Sequence, residues 1–284
     1  MSETIDKYEI VIVGGGPGGM TAGLYCARAN RPTALLEKYL PGGQIANTDV
    51  VDDYPGFEMV GGQELAEKMA NHARKFGLEF LTDEVTDIWC EGDDQMVSTA
   101  SGKTYRAKVV ILSPGGTANK LGVPGEDELY GRGVTYCALC DGAFFKGQVI
   151  AVVGGGDAAV EEAAFLTKYG SKVYIIHRRD EFRAQKVVQA RTLANPKIEV
   201  IWDTVVEKVN GEKKLESVTI RNVKTGETRD LEIGGLFPLI GFTPNSDITR
   251  EKMEKDGGGH IITNDRMETS IPGIYACGDV RSQL

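Results

Sequence analysis

The chain has 284 residues, 41% of them apolar, enough for the cores of one large or two ordinary domains. Acidic side chains outnumber basic ones 41 to 32, for a net charge of −9, which argues against nucleic-acid binding because phosphate contacts need a basic surface. The start, MSETIDKYEIVIVGGG, lacks the basic and apolar regions of a secretory signal, no run approaches the roughly 18 apolar residues of a membrane span, and five cysteines, three of them far apart, do not make a secreted disulfide framework, so a cytoplasmic setting is expected.

The first element is the run from Tyr8 to Val13, a short β-branched strand that ends in glycines. Gly14, Gly16 and Gly19 then form G-x-G-x-x-G before a predicted helix, TAGLYCARA. In such a turn the first glycine permits the bend, the second admits a pyrophosphate, and the third lets helix and strand pack closely. Backbone N–H groups and the helix dipole hold the phosphates. The next strand, PTALLEK, ends in Glu37, 23 residues after Gly14. A carboxylate there accepts ribose hydroxyls, so the first site reads as a dinucleotide with a free 2′-hydroxyl.

Further along, VTYCALCDGAFF holds Cys137 and Cys140 with two residues between them, followed by Asp141. A zinc site needs four ligands, usually a second such pair or paired histidines, and the chain offers only single cysteines and three histidines elsewhere. A redox pair fits better: one thiolate attacks a target disulfide and the other resolves the mixed disulfide.

The strand–glycine–helix pattern then recurs in QVIAVVGGGDAAVEEAAFL, with Gly154, Gly156 and Ala159 as G-x-G-x-x-A. Here the position 23 residues after Gly154 is His177, followed by Arg178, Arg179 and Arg183. A 2′-phosphate repels a carboxylate and attracts guanidinium groups, so the second site reads as NADPH. Two nucleotide sites in one chain suggest a relay from nicotinamide to flavin, which places FAD in the first. Near the end, a short strand from Gly273 to Ala276 leads to Gly278 and Asp279, an acid suited to the ribityl or pyrophosphate region. Cys26, Cys90 and Cys277 read as core residues.

The motifs GGGPGG, PGGQI, YPGF, LGVPGE, CALCDGAFF, GGGDAAVEEA, HRRDEFRA and SIPGIYACGDVR, in this order, resemble the low-molecular-weight thioredoxin reductases from about residue 6 onward. The resemblance implies an α/β architecture of two Rossmann-like, three-layer nucleotide-binding domains. Residues 117–245 would form an NADPH domain, carrying the cysteine pair, inserted into an FAD domain of 1–116 and 246–284. The linkers LSPGGTANKLGVPG and LIGFTPNSD would act as a swivel. The resemblance also implies that Gly16, Pro17, Gly18 and Gly19 lie at the FAD pyrophosphate and Glu37 and Lys38 at the adenosine. Gly43, Gln44 and Thr48 would approach the flavin, with Gly278 and Asp279 at the ribityl chain. Gly156, Asp157 and Ala158 would meet the NADPH pyrophosphate, and His177, Arg178, Arg179 and Arg183 the 2′-phosphate. Cys140 would lie nearer the flavin, Cys137 would attack oxidised thioredoxin or a thioredoxin-like protein, and Asp141 would act as general acid. A homodimer is implied.

Some positions depart from the family pattern: Ser113-Pro114-Gly115, Asp53 and Phe242. The resemblance implies a Gln and a final helix beyond GDVR, so the stop at Leu284 is expected to reflect a shortened chain, and weak FAD binding if it is genuine. Another dithiol acceptor, NADH or ferredoxin as donor, or a flavin redox sensor without turnover remain alternatives; the arginines oppose both of these donors, and the dithiol with Asp141 opposes the sensor.

Overall fold

The computed structural model describes residues 5–48 and 50–282; the expectation about the chain's end falls partly on Gln283 and Leu284, outside them. The chain divides into two units, one of Met1–Thr117 with Thr243–Leu284 and one of Ala118–Phe242.

In the first unit, β1 (Asp6–Val13) leads into α1 (Pro17–Arg28), β2 (Thr33–Glu37), the short α2 (Gly43–Ala46) and α3 (Gly62–Lys75). Strands β3 (Glu79–Thr82), β4 (Val85–Glu91), β5 (Asp94–Thr99) and β6 (Thr104–Leu112) follow. The sheet order is β3-β2-β1-β6-β5-β4, parallel from β3 to β6 and antiparallel beyond. Strand alternation assigns the two faces of β1. Ile12 packs with Met20, Leu35, Ala70 and Leu78 under α1 and α3. Val11 and Val13 face the other way, against Leu36, Ile88 and Met253. One face is thus covered by helices, and the other by the later strands and the returning chain.

After β7 (Gly116–Ala118) come α4 (Ala138–Asp141), a 3₁₀ turn at Gly142–Phe145, β8 (Val149–Val153), α5 (Asp157–Leu166), β9 (Lys172–Ile176), α6 (Lys186–Leu193) and β10 (Ile198–Ile201). Strands β11 (Thr204–Asn210), β12 (Ser217–Asn222), β13 (Thr228–Glu232) and β14 (Gly235–Pro238) complete the second unit. Its parallel sheet runs β10-β9-β8-β14, and β11-β12-β13 form a separate antiparallel sheet. Alternation again separates two cores: Ile150 and Val152 of β8 pack with Ala159, Ala163 and Leu166 of α5, while Ala151 and Val153 pack with Val206, Val218 and Ile220 of the antiparallel sheet. The result is helices, sheet and sheet in three layers.

The chain returns through β15 (Phe242–Pro244), which pairs with β7, to β16 (Ile274–Ala276), which pairs in parallel with the C-terminal half of β6. A 3₁₀ turn at Gly278–Val280 follows. Among the described residues, no helix is long and apolar enough to cross a membrane.

One expectation needs correction. Cys90 is exposed; it lies at the hairpin end of the outermost strand, one pleat beyond buried Ile88, and its Sγ donates to Gln95 Oε1 at 3.2 Å. Cys26 and Cys277 are half-buried.

Candidate active site

In the first unit the glycine turn is built as its roles require. Gly14 has φ +101°, and a Cβ there would meet the Ser113 carbonyl and come within 2.8 Å of Pro114 Cα. A Cβ on Gly19 would overlap the Gly14 carbonyl, so helix and strand touch at that point. Gly16 differs: the nearest atom to an added Cβ is Gly43 Cα at 3.9 Å. Gly16 is also the N-cap of α1, with no capping side chain and with Pro17 next to it. The first-turn N–H groups therefore face an open cradle that a pyrophosphate fits.

The predicted partners converge on this cradle. Glu37 Oε2 accepts from Gly15 N at 2.6 Å, which brings its carboxylate to the lip. Gly42 N donates to Gly15 O at 2.8 Å and places Gly43 and Gln44, at the start of α2, beside Gly16. Thr48 closes α2, its hydroxyl donating to Gln44 O at 3.3 Å. Gly278 arrives through β16, and a Cβ on Gly18 would lie 3.3 Å from it; Asp279 follows in the same turn. Lys38 points elsewhere, to Glu84 at 2.8 Å. A cavity of about 310 Å³ opens next to Glu37, lined by Tyr39, Pro41, Arg74, Phe80 and Thr82. The Arg74 guanidinium lies 4.4 Å from the Phe80 ring centre. Neither residue carries a local motif that marks it; the fold brings them together from α3 and β3.

The second unit repeats the construction. Gly154 has φ +153°, and a Cβ there would lie 2.6 Å from Ala159 Cβ. Gly156, the N-cap of α5, has nothing within 4 Å of an added Cβ. Asp157 begins α5 and Ala158 is exposed beside it; the Asp157 carboxylate accepts from Gln185 N at 2.7 Å. Gly155 O accepts from Arg183 N at 2.8 Å and Ala184 N at 3.2 Å, which clamps the arginine turn onto the glycine turn. Arg178, Arg179 and Arg183 are exposed, and none forms an ion pair among the described residues. Three uncompensated guanidinium groups in one turn of an acidic chain suit a dianion. His177 is placed differently from them. It is buried, packs against Phe182 and Trp202, and its Nε2 lies 3.0 Å from Glu181 O. Burial holds its pKa below the ordinary 6.5, with Arg179 and Arg183 contributing in the same direction. His177 therefore supports the arginine turn from beneath, with its charged form disfavoured by burial.

The cysteine loop lies in the same unit. Val134 pairs with Leu236 of β14, and Thr135 N donates to Leu236 O at 3.0 Å, so the loop hangs from a buried strand. Cys137 and Cys140 are joined as a disulfide across the first turn of α4. Cys137 is the N-cap, and its Sγ accepts from Cys140 N at 3.1 Å. Cys137 is half-buried and Cys140 exposed. Asp141 is half-buried; its carboxylate accepts from the Thr135 hydroxyl, and its N–H donates to Cys137 O at 3.2 Å.

Two acids beside this loop have no local motif. Glu126, only 2% exposed, accepts from Leu121 N at 2.9 Å, Gly122 N at 2.7 Å and Tyr136 Oη at 2.8 Å. Glu162 of α5 accepts from Ala138 N at 3.3 Å. The signal for Glu162 is positional: it lies three residues after buried Ala159 and four before buried Leu166, on the inward stripe of α5. Burial pushes its pKa up from 4.5 to about 7. Between these values the folded chain holds a proton that the unfolded chain has released, so stability falls as pH rises. The contribution amounts to on the order of 3 kcal/mol. Chemical denaturation at a series of pH values is expected to show this decline, and Glu162→Gln to flatten it.

The pyridine nucleotide-disulphide oxidoreductase family model matches residues 8–284. A thioredoxin reductase of Bacillus subtilis is 47% identical over 283 residues, covering 97% of this chain and 87% of the relative. The crystal structure of Lactococcus lactis thioredoxin reductase in its FR conformation superposes with a TM-score of 0.95 at 46% identity, covering 97% of this chain and 91% of that one. The crystal structure of T. acidophilum thioredoxin reductase gives a TM-score of 0.93 at 33% identity, with the same coverage.

Proposed function

The chain belongs to the pyridine nucleotide-disulphide oxidoreductases, and from that premise we infer that it is an NADPH-dependent, FAD-containing thioredoxin-disulfide reductase. The observation that carries this reading is the Cys137–Cys140 disulfide in the unit that also holds the second nucleotide cradle. Relatives of 42–47% identity over 97% of the chain bear the name thioredoxin reductase.

Unit Met1–Thr117 with Thr243–Leu284 is the FAD domain in this reading, and Ala118–Phe242 the NADPH domain. Gly14, Gly16, Pro17, Gly18 and Gly19 hold the FAD pyrophosphate, Glu37 the ribose, and Gly43, Gln44, Thr48, Gly278 and Asp279 the remainder. Gly154, Gly156, Asp157 and Ala158 hold the NADPH pyrophosphate, and Arg178, Arg179 and Arg183 the 2′-phosphate. When bound, the two cofactors supply the electron pair that reduces the disulfide. One cysteine thiolate then attacks a sulfur of oxidised thioredoxin, and the other resolves the mixed disulfide, closing Cys137–Cys140 again. Asp141, held by the Thr135 hydroxyl, gives a proton to the leaving sulfur. A cytoplasmic homodimer is the assembly we propose, on the strength of the family; the three unbonded cysteines agree with a reducing compartment.

The test is anaerobic. NADPH, but not NADH, is expected to bleach the flavin of the loaded protein, and oxidised thioredoxin to restore it. Bleaching by neither nucleotide would overturn the reading. Replacing Arg178 and Arg179 together with Ala is expected to raise KM for NADPH by roughly a hundredfold or more, since charge-assisted hydrogen bonds contribute about 1.5–3 kcal/mol each. Turnover with NADH, negligible in the wild type, should not fall further, and steady-state kinetics with both nucleotides checks this.

A further inference from the structure

The carboxyl of Glu162 is hydrogen-bonded at 3.3 Å to the peptide nitrogen that directly follows Cys137. It sits half-buried on α5, which packs against α4. Among the described residues, the charged group that bears on it is Glu161, another acid on the same helix; the other elements packed against α5 carry Lys172 and Tyr174 on β9 and Lys186 and Arg191 on α6. On the facing helix α4 and its cap the titratable groups are Cys137, Cys140 and Asp141. Asp141 is already engaged by the Thr135 hydroxyl. A carboxyl in this setting is poorly stabilised as an anion, and a thiolate appearing one peptide away disfavours that anion further.

We propose that Glu162 is a positioning residue of the redox pair, which holds the peptide after Cys137 and takes up one of the two protons of reduction. Reduction breaks the Cys137–Cys140 bond and leaves two electrons on the sulfurs. One proton goes to a sulfur and the other to the Glu162 carboxylate, so the reduced pair is one thiol and one thiolate beside a neutral acid. The thiolate is the species that attacks a disulfide. When the pair closes again on thioredoxin, the thiol proton and the Glu162 proton pass to the two substrate sulfurs, one of them through Asp141, which is reprotonated in turn, and the Glu162 carboxylate is restored. Burial that pushes the Glu162 pKa up to about 7 is consistent with this cycle.

The inference rests on the dithiol reading above, and the two fail separately. Glu162→Gln keeps an acceptor for the Ala138 N–H and cannot bind a proton. In the reduced wild type, the ultraviolet thiolate signal is expected to titrate in two coupled steps; in E162Q the step near neutrality disappears. Above neutral pH, where the wild-type carboxylate is ionised, E162Q is expected to be easier to reduce. Its equilibrium with dithiothreitol should shift on the order of tenfold, about 30 mV for a two-electron couple. Glu162→Ala also removes the acceptor and should lower the Tm as well; if it does not fold, E162Q alone decides. An E162Q titration and dithiothreitol equilibrium identical to wild type would overturn the inference. Equal losses in E162Q and E162A would also overturn it, by showing a packing role only. A wild type that never reduces thioredoxin would overturn the functional reading and leave these titrations valid.

Discussion

Cys137→Ser and Cys140→Ser are each expected to abolish NADPH-driven thioredoxin reduction, by roughly a thousandfold or more, because two sulfurs acting as a unit lose nearly everything when either goes. A serine hydroxyl ionises far too weakly to replace a thiolate in disulfide exchange. The loss is specific to the last transfer. The loop hangs from β14 by Val134 and Thr135, and neither contact uses a sulfur. The variants should therefore fold, bind both nucleotides and still oxidise NADPH with a small-molecule acceptor. Turnover of thioredoxin by either variant at more than a trace would refute the dithiol role. The same pair of variants separates the two sulfurs. The resemblance assigns attack to Cys137, whereas in the oxidised chain Cys140 is the more exposed. If Cys137 attacks, C140S accumulates a covalent thioredoxin adduct that reductant releases; if Cys140 attacks, C137S does. Mass spectrometry of the trapped species reads this directly.

What could be read from the residues divides along a physical line. The two glycine turns were legible because every role in them is local: a positive φ at Gly14 and Gly154, close approach at Gly19 and Ala159, open space at Gly16 and Gly156. The register of the second strand was legible too. Glu37 and His177 occupy matching places, each under the middle glycine of its turn, with Glu37 reaching Gly15 N and His177 packed against Gly155. The side-chain chemistry at that place was not fully legible. Whether a histidine there faces a phosphate or the interior depends on Phe182 and Trp202, which come from a later turn and the end of β10. Cys90 shows the same limit: an apolar strand reads as buried, yet its last residues run past the core. Glu126, Glu162, Arg74 and Phe80 are set by contacts between distant segments, which no local motif encodes.

Gly14→Ala and Gly16→Ala should both deplete bound FAD, for opposite reasons. At Gly14 the chain itself forbids a side chain. Its φ of +101° is strained for alanine, and the methyl would overlap the Ser113 carbonyl at the end of β6. Strain and overlap together cost on the order of 2–5 kcal/mol, a large share of the 5–15 kcal/mol that typically holds a domain folded. G14A is therefore expected to unfold earlier in denaturant even without cofactor. At Gly16 the backbone is ordinary, with φ −70°, and the nearest atom to the new methyl would be Gly43 Cα at 3.9 Å. G16A without cofactor should match the wild type in stability. Its methyl occupies the space that the structure leaves open between α1 and α2, and a pyrophosphate must approach that backbone closely. Flavin content after purification, set beside the Tm of the cofactor-free proteins, distinguishes the cases. A G16A protein that carries FAD at the wild-type ratio would show that the open space at Gly16 is not where the phosphates lie, and would remove the first cradle from the site.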